Sequence, residues 1–468
     1  MNGLELIHSM GTGASSSSDS TIDKKKKGLH HEDHQLNNDE IEMLVESMKE
    51  KLEEVTSLHS NYDIYRVPMQ LCKVKPEAYT PQSVSIGPLH YNEEHLRTME
   101  THKLRYLNCL LDRPSAKTLD VYVKAVSNLE ETARKCYSET IMGFGKDEFV
   151  KMMVVDGCFI LEFLKIITLR ENDHFRSNYS WYWEIKTDLI KLENQLPFFV
   201  LEHLHSLTFD PHELLPQYNT FSHYIYVNLL KWYAQGLHGP TIDSDEQIKS
   251  LQLPEGGAKH FLHLLGCVLI PSSPARTEQG EKYLRLTSCA TELRSAGIKF
   301  RKKEKSDSPK TSLFDVAFDT NKGILTIPTI IIFDETELIL RNLIAFEQGK
   351  QSTAYFTAYA AFMDDLIDTV RDVELLEQKG IITNILGSPK DVVTLFNNIT
   401  KQVVLVEPYY SGVIKDLEDY HNKSWNKWIA NLRQNYFQTP WASISVVAAV
   451  ILLILTIMQT ICSFFQVK

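Results

Sequence analysis

The chain has 468 residues, of which 43% are hydrophobic and 23% charged, and this composition supports one large hydrophobic core or two adjoining ones. The formal net charge of -11 excludes a general nucleic-acid binder, because such a protein needs a basic surface to displace counterions from phosphates. The seven cysteines include no C-x-x-C pair, which excludes a disulfide scaffold and predicts reduced, mostly buried thiols.

Residues 1–38 are predicted to form a disordered polar N-terminus, because they contain runs of serine and lysine and few large apolar residues. Order is predicted to begin with a helix at Asp39, where Asp39 and Glu42 have the spacing of an N-cap and its partner. The helix carries an apolar stripe made of Ile41, Leu44, Val45, Met48, Leu52 and Val55. Two interpretations of this stripe stay open: docking onto the chain's own domain, and coiled-coil pairing with a partner.

Residues 39–435 are predicted to form a mainly α-helical globular domain. Four prolines exclude a long helix between residues 64 and 88, so that stretch is predicted to be extended. Helical patterns follow at about 93–111, 117–137, 146–170, 181–195, 198–207, 219–234, 257–268, 335–349, 353–371, 372–380 and 389–400. Two apolar runs around a Gly-containing loop at 319–323 predict a small antiparallel hairpin or sheet within 313–333.

The C-terminal segment 441–465 contains no charged residue and predicts a single transmembrane helix. As a helix it would be about 37 Å long, enough to cross a hydrocarbon core of about 30 Å. Trp441, Phe464 and Phe465 are predicted to anchor it at the membrane interfaces, with residues 466–468 as a short tail. The alternative is a buried core helix.

This helix predicts the lipid bilayer as a partner and a single-pass location, with the plasma membrane as the expected membrane. Basic residues before the segment favour a cytosolic position for the bulk of the chain. Asn-x-Ser/Thr triplets at 178, 398 and 422 favour the opposite side.

Three charged residues lie among apolar neighbours when the helices are drawn at 100° per residue. Lys103, Asp156 and Glu193 each fall on the apolar face of a predicted helix. A lone charge in a protein core costs several kcal/mol, so these groups must pair or lose their charge. The pattern predicts a buried polar cluster joining Lys103 to Asp156, Glu193 or both. It is interpreted as a structural ionic network, and the alternative is a pair of carboxylates and a lysine that perform acid-base chemistry or bind a ligand.

Several stretches taken together resemble the plant family known as domain of unknown function 247, or UPF0481-type membrane proteins. The motifs are Tyr79–His90, Met99–Leu107, Met153–Glu162, Asp188–Phe199, Ala290–Phe300, Arg341–Gln348, Phe362–Ile367 and Gly380–Ile382, followed by the terminal hydrophobic span. The resemblance implies a plant origin and a C-terminal membrane span, and it carries no established catalytic residues. Some members in grasses take part in pollen–stigma self-incompatibility, which implies a recognition role for those members.

No nucleophile elbow, Walker loop, dinucleotide fingerprint, H-E-x-x-H motif or kinase signature occurs in the sequence. We therefore expect no catalytic residue, no cofactor and no metal, and the leading hypothesis is a non-enzymatic recognition or signalling module with a protein partner. The alternative hypothesis is an unrecognised enzyme or ligand-binding protein that uses the Lys103, Asp156 and Glu193 cluster. That hypothesis predicts a concave pocket that reaches these three residues.

Overall fold

The computed structural model describes residues 37–56, 62–113, 116–138, 143–169, 179–209, 220–239, 257–270, 285–304, 312–350, 354–405, 409–422 and 440–466. The predicted disordered N-terminus lies almost entirely outside these residues. The chain divides into two compact units, Met1–Leu58 and His59–Lys468. The described part of the first unit contains one helix, α1 (Asn38–Thr56), whose first turn holds Asp39 and Glu40.

The prediction of a mainly helical fold with a small β element is confirmed. The second unit begins with residues 62–90, called the extended segment below, which run mostly extended as predicted but include a short helix α2 (Met69–Val74) and one 3₁₀ turn (Pro76–Ala78). The helices α3 (Arg97–Leu111), α4 (Leu119–Arg134) and α5 (Lys146–Leu169) follow. Helix α5 packs against α3 and α4, and it is buried on almost every side between Val150 and Leu164. A helix that is apolar around its whole circumference is stable only in such a core position.

Helix α6 (Tyr179–Asp188) ends seven residues before the end of the predicted helix 181–195. Residues 189–194 form turns and bends instead, and α7 (Phe198–Thr208) begins after Pro197. The prediction failed because polar side chains in this segment bind backbone groups that a helix would pair internally. The Gln195 amide, for example, donates to the carbonyls of Leu189 and Lys191.

The next helical segments are α8 (Phe221–Ile225), a π-helical turn (Tyr226–Leu230) and α9 (Lys231–Gly236) in direct succession. Helices α10 (Phe261–Leu269) and α11 (Ala290–Ser295) precede the strands. Later helices are α12 (Thr336–Gln348), α13 (Tyr355–Leu366), α14 (Val370–Gln378), α15 (Pro389–Ile399), α16 (Ser411–Asn422) and α17 (Pro440–Gln466). The predicted helix 353–371 is interrupted because Thr369 and Asp372 form a capping box that starts α14.

The predicted hairpin is present, and its two strands are β2 (Ala317–Asp319) and β3 (Ile324–Pro328), which pair antiparallel. The sheet also has a parallel partner of β3, the strand β1 (Lys299–Lys303), so it is mixed and not purely antiparallel. A second sheet joins β4 (Ile330–Ile332) to the parallel strand β5 (Ile382–Asn384). Neither parallel pairing could be expected from the hairpin pattern, because each depends on partners distant in sequence.

The predicted transmembrane helix over 441–465 is wrong, and so are the single-pass location and orientation that followed from it. None of the helices in the described part of the chain combines the length and the apolarity that crossing a bilayer requires. The side chains of Trp441, Phe464 and Phe465, the predicted interface anchors, lie outside the described residues.

The C-terminal turn of α12 is fixed to the extended segment by Tyr65. Its hydroxyl donates hydrogen bonds of 2.8 Å and 3.0 Å to the carbonyls of Ala345 and Phe346 in the last turn of the helix. Gly349 follows the helix, and a Cβ at this position would collide with the Tyr65 ring and hydroxyl. Only glycine therefore allows this close approach between the helix end and the ring.

We predict that Gly349→Ala lowers the free energy of unfolding by about 1–3 kcal/mol, because the added methyl group displaces Tyr65 from the helix end. Urea unfolding followed by circular dichroism measures the change. Gly412→Ala is the matched control, since a Cβ there meets nothing within 4 Å and lies in α16. Equal effects of the two substitutions would contradict this account.

Candidate functional site

Lys103 and Asp156 lie on the facing sides of α3 and α5 and are 0% and 1% exposed. The Lys103 ammonium donates to Asp156 Oδ1 at 2.7 Å, to Glu100 Oε1 at 2.6 Å, and to the carbonyl of Ser85. The second oxygen of Asp156 accepts a 2.8 Å hydrogen bond from the backbone N–H of Gly87. The pair thus joins two helices to one point of the extended segment.

Burial and neighbouring charges determine the protonation states of Lys103 and Asp156. Burial raises the pKa of Asp156 to about 6, against the opposing effect of the Lys103 ammonium. Burial alone would lower the pKa of Lys103, but the attraction of Asp156 and Glu100 outweighs it and raises that pKa. Both partners are therefore ionised at neutral pH, and all three protons of the ammonium have an acceptor.

Glu193 binds a different part of the extended segment from the one that Lys103 and Asp156 hold. It lies in the turns after α6, where its Oε1 accepts a 2.7 Å hydrogen bond from the backbone N–H of Val67. Its Oε2 lies 3.4 Å from the Arg66 guanidinium and 2.9 Å from His90 Nε2. The structure therefore brings Lys103 and Asp156 together and places Glu193 in a second polar group.

Further buried polar residues that the helical wheels did not single out bind the same extended segment. The Asp188 carboxylate accepts hydrogen bonds from the backbone N–H groups of Gln82, Ser83 and Val84. The Asn194 amide accepts from Ile86 N–H and donates to the carbonyls of Val84 and Asp188.

Two more side chains extend this pattern toward the start of the segment. Lys191 donates to the carbonyl of Thr80, and Asn342 of α12 donates to that of Ala78. Asn342 also accepts a hydrogen bond from the N–H of Leu192. The signal for all four residues was their place in the motifs Asp188–Phe199 and Arg341–Gln348.

Another buried carboxylate, Glu347, caps a helix. Its oxygens accept hydrogen bonds from the backbone N–H groups of Phe356 and Thr357 and from the Thr357 hydroxyl, at 2.8 Å to 2.9 Å. These N–H groups belong to the first turn of α13, where the helix itself supplies no acceptor. Burial raises the pKa of Glu347 to about 7, although the hydrogen bonds oppose this shift.

An open cavity of about 410 Å³ lies between the extended segment and the end of α12. Its walls include Tyr62, Tyr65, Arg66, Gln348 and Gly349. None of Lys103, Asp156 and Glu193 lines it. Within the described ranges, no group of three or more histidine, cysteine, aspartate or glutamate side chains could hold a metal ion.

Comparison with known proteins assigns the chain to a family. Residues 64–455 match the family DUF247, described as a plant protein of unknown function. The chain belongs to this family. It is 33% identical to the UPF0481 protein At3g47200 of Arabidopsis thaliana, over 85% of each chain. It is 25% identical to the putative UPF0481 protein At3g02645 of the same plant, over 87% of this chain and 90% of that one. No solved structure matches.

These matches confirm the resemblance seen in the sequence motifs. The family is one of unknown function, so the match transfers no reaction and no catalytic residue to this DUF247 protein. The buried polar residues described above lie inside the matched range, and what they do must be argued from their contacts.

We predict that Lys103→Met lowers the free energy of unfolding by about 3–5 kcal/mol, because it leaves Asp156 as an unpaired buried charge. The double variant Lys103→Met/Asp156→Leu should lose less than the sum of the two single losses. Lys135→Met removes an exposed ion pair with Glu131 and is the matched control, with little effect expected. If Lys103→Met were as mild as Lys135→Met, the pair would not hold these helices together.

We predict that Glu347 makes stability fall as the pH rises through neutrality. Its folded-state pKa lies above the usual value of 4.5, so its contribution is complete below that value and is lost as the pH passes about 7. Glu347→Gln removes this titration while its amide oxygen can still accept a hydrogen bond. The unfolding free energy of the wild type minus that of the variant should therefore decrease by about 3 kcal/mol between pH 4 and pH 8. A constant difference across this range would exclude the effect.

Proposed function

We propose that this DUF247 protein is a non-enzymatic protein-interaction module, and that it associates through helix α1. The observation that carries the proposal is the apolar face of α1, which is open to solvent. Ile41, Leu44, Val45 and Met48 are between 43% and 56% exposed. Exposed apolar stripes of this kind mark surfaces that bind another protein.

The buried polar cluster makes its hydrogen bonds within its own chain, and this supports a non-enzymatic function. Lys103 directs its ammonium to three acceptors of its own chain, and Asp156 binds Lys103 and Gly87. A general acid or base must come within hydrogen-bond reach of a substrate, but these two side chains are 0% and 1% exposed, and all three ammonium protons and both carboxylate oxygens are already bonded within the chain. Their contacts favour a role in holding the fold together over a role in a reaction.

The spacing on α1 matches pairing with a second helix. Residues 41, 45, 48, 52 and 55 follow one another at intervals of four and three, which is the seam of a left-handed coiled coil. In heptad terms, Val45 and Leu52 occupy a positions, and Ile41, Met48 and Val55 occupy d positions. The sequence of α1 therefore repeats apolar residues at coiled-coil spacing from Ile41 to Val55.

Charge complementarity favours pairing of this seam with α1 of a second copy of the chain, in antiparallel orientation. When two copies run antiparallel with Val45 opposite Met48, the e positions of the two helices face each other. These positions hold Glu42 and Lys49, so each copy brings an acid to the base of the other. In a parallel pair Lys49 would face Leu44, and this attraction would be absent.

We predict that the full-length protein dimerises, and that Glu42→Lys and Lys49→Glu each weaken the dimer by about tenfold, because each replaces two attractions by two repulsions. The double variant Glu42→Lys/Lys49→Glu should restore the wild-type affinity. Sedimentation equilibrium at low salt measures the dissociation constants.

Glu50→Lys is the matched control, because it makes the same charge change as Glu42→Lys at an f position, away from the seam. It should leave the dissociation constant unchanged. A protein that stays monomeric at all concentrations would refute the proposal. A dimer that the double swap fails to restore would exclude the antiparallel arrangement.

A further inference from the structure

Lys186 of α6 is a buried lysine that forms no ion pair with an acidic residue in the described part of the chain. Its side chain is 5% exposed, and it makes no hydrogen bond or ion pair with any residue that the structure describes. Its ammonium lies against three aromatic rings instead, at 4.9 Å from Trp183, 5.5 Å from Tyr182 and 6.0 Å from Tyr233. Cation–π attraction replaces part of the hydration that the ammonium has lost.

Two tryptophans form an aromatic corner beside this lysine. The ring of Trp183 lies 6.2 Å from that of Trp232 on α9, and the ring planes meet at 60°. Trp232 is 52% exposed, and Phe333 supports its ring at 6.1 Å. The corner thus presents an indole surface to solvent, held in place by a buried ring.

A carboxylate lies near Lys186 without pairing with it. Glu335, at the start of α12, attracts the ammonium electrostatically, but the two side chains form no ion pair. Burial lowers the pKa of Lys186 to about 8 in spite of this attraction. Burial also raises the pKa of Glu335. Each of the two groups is therefore partly desolvated and has hydrogen-bonding capacity that the described side chains leave unused.

We propose that the corner formed by Trp183, Trp232, Lys186 and Glu335 binds a neutral pyranose sugar. The apolar C–H face of a pyranose ring stacks on an indole, and Trp232 offers such a surface. A sugar hydroxyl can accept a hydrogen bond from Lys186 and donate one to Glu335, because hydroxyls do both. This binding site is independent of dimerisation through α1.

The charges at the corner select a neutral ligand over a charged one. A carboxylate ligand would gain from Lys186 but would be repelled by Glu335 and by its exposed neighbour Asp334. A cationic ligand would be attracted by Glu335 and Asp334 but repelled by the Lys186 ammonium, which already lies against the Trp183 ring. A polyhydroxyl ligand without charge satisfies the ammonium and the carboxylate together, and its stacking face matches the indole.

The test is a titration of tryptophan fluorescence in the full-length protein at pH 7 with methyl glucoside, galactoside, mannoside and xyloside and their short neutral oligosaccharides. We expect at least one of them to give a saturable change, because Trp183 and Trp232 lie in the site. Glucuronate and glucosamine, as charged counterparts of glucose, should bind at least tenfold more weakly than a neutral sugar that binds.

Trp232→Ala and Lys186→Met should each weaken this binding at least tenfold. Trp232 is half exposed, so its loss leaves the core intact, and circular dichroism checks the fold of both variants. Trp181→Phe is the matched control, because Trp181 packs against His102 at 5.8 Å and should be dispensable for binding. Absence of saturable binding by every neutral sugar, or equal binding by wild type and Trp232→Ala, would overturn the proposal.

Discussion

The structure depends on how the backbone of the extended segment between Tyr62 and His90 is hydrogen-bonded. This segment is buried at many positions, yet among the described residues it forms only one isolated β-bridge, between Ile64 and Tyr137. Its buried N–H and C=O groups must find other partners, because an unpaired buried polar group costs about 1–3 kcal/mol. Side chains of Asp156, Asp188 and Asn194 supply those partners.

This arrangement explains why charges occur in the core. A buried ion pair is weak evidence for stability, since the loss of hydration can exceed the mutual attraction of the charges. The carboxylates here do more than pair with lysines, because each also accepts hydrogen bonds from a specific set of backbone groups. An apolar replacement of similar volume would leave those N–H groups unpaired. The buried polar residues therefore fix the path of the extended segment and the docking of α3, α5 and α12 onto it.

The sequence could predict the helices and the hairpin because local patterns determine both. It could also place Lys103 and Asp156 on apolar helix faces, since α3 and α5 are regular helices and the 100° rule applies to them. Glu193 was placed by the same rule on a helix that does not exist there. The turns after Asp188 arise from side-chain to backbone hydrogen bonds, which periodicity does not report. The parallel strand pairs and the polar group around Glu193 depend on contacts distant in sequence, so no local pattern could reveal them.

Helix α6 connects the interior scaffold to the proposed sugar site. Asp188, its last residue, is held by three N–H groups of the extended segment, so the end of the helix has a fixed position. Lys186 and Trp183 lie within two turns of that end, so their positions are fixed together with it. A binding site built on a regular helix that is fixed in this way is held more accurately than one built on a loop. The buried acids thus contribute to recognition indirectly, because they orient the aromatic corner without touching a ligand.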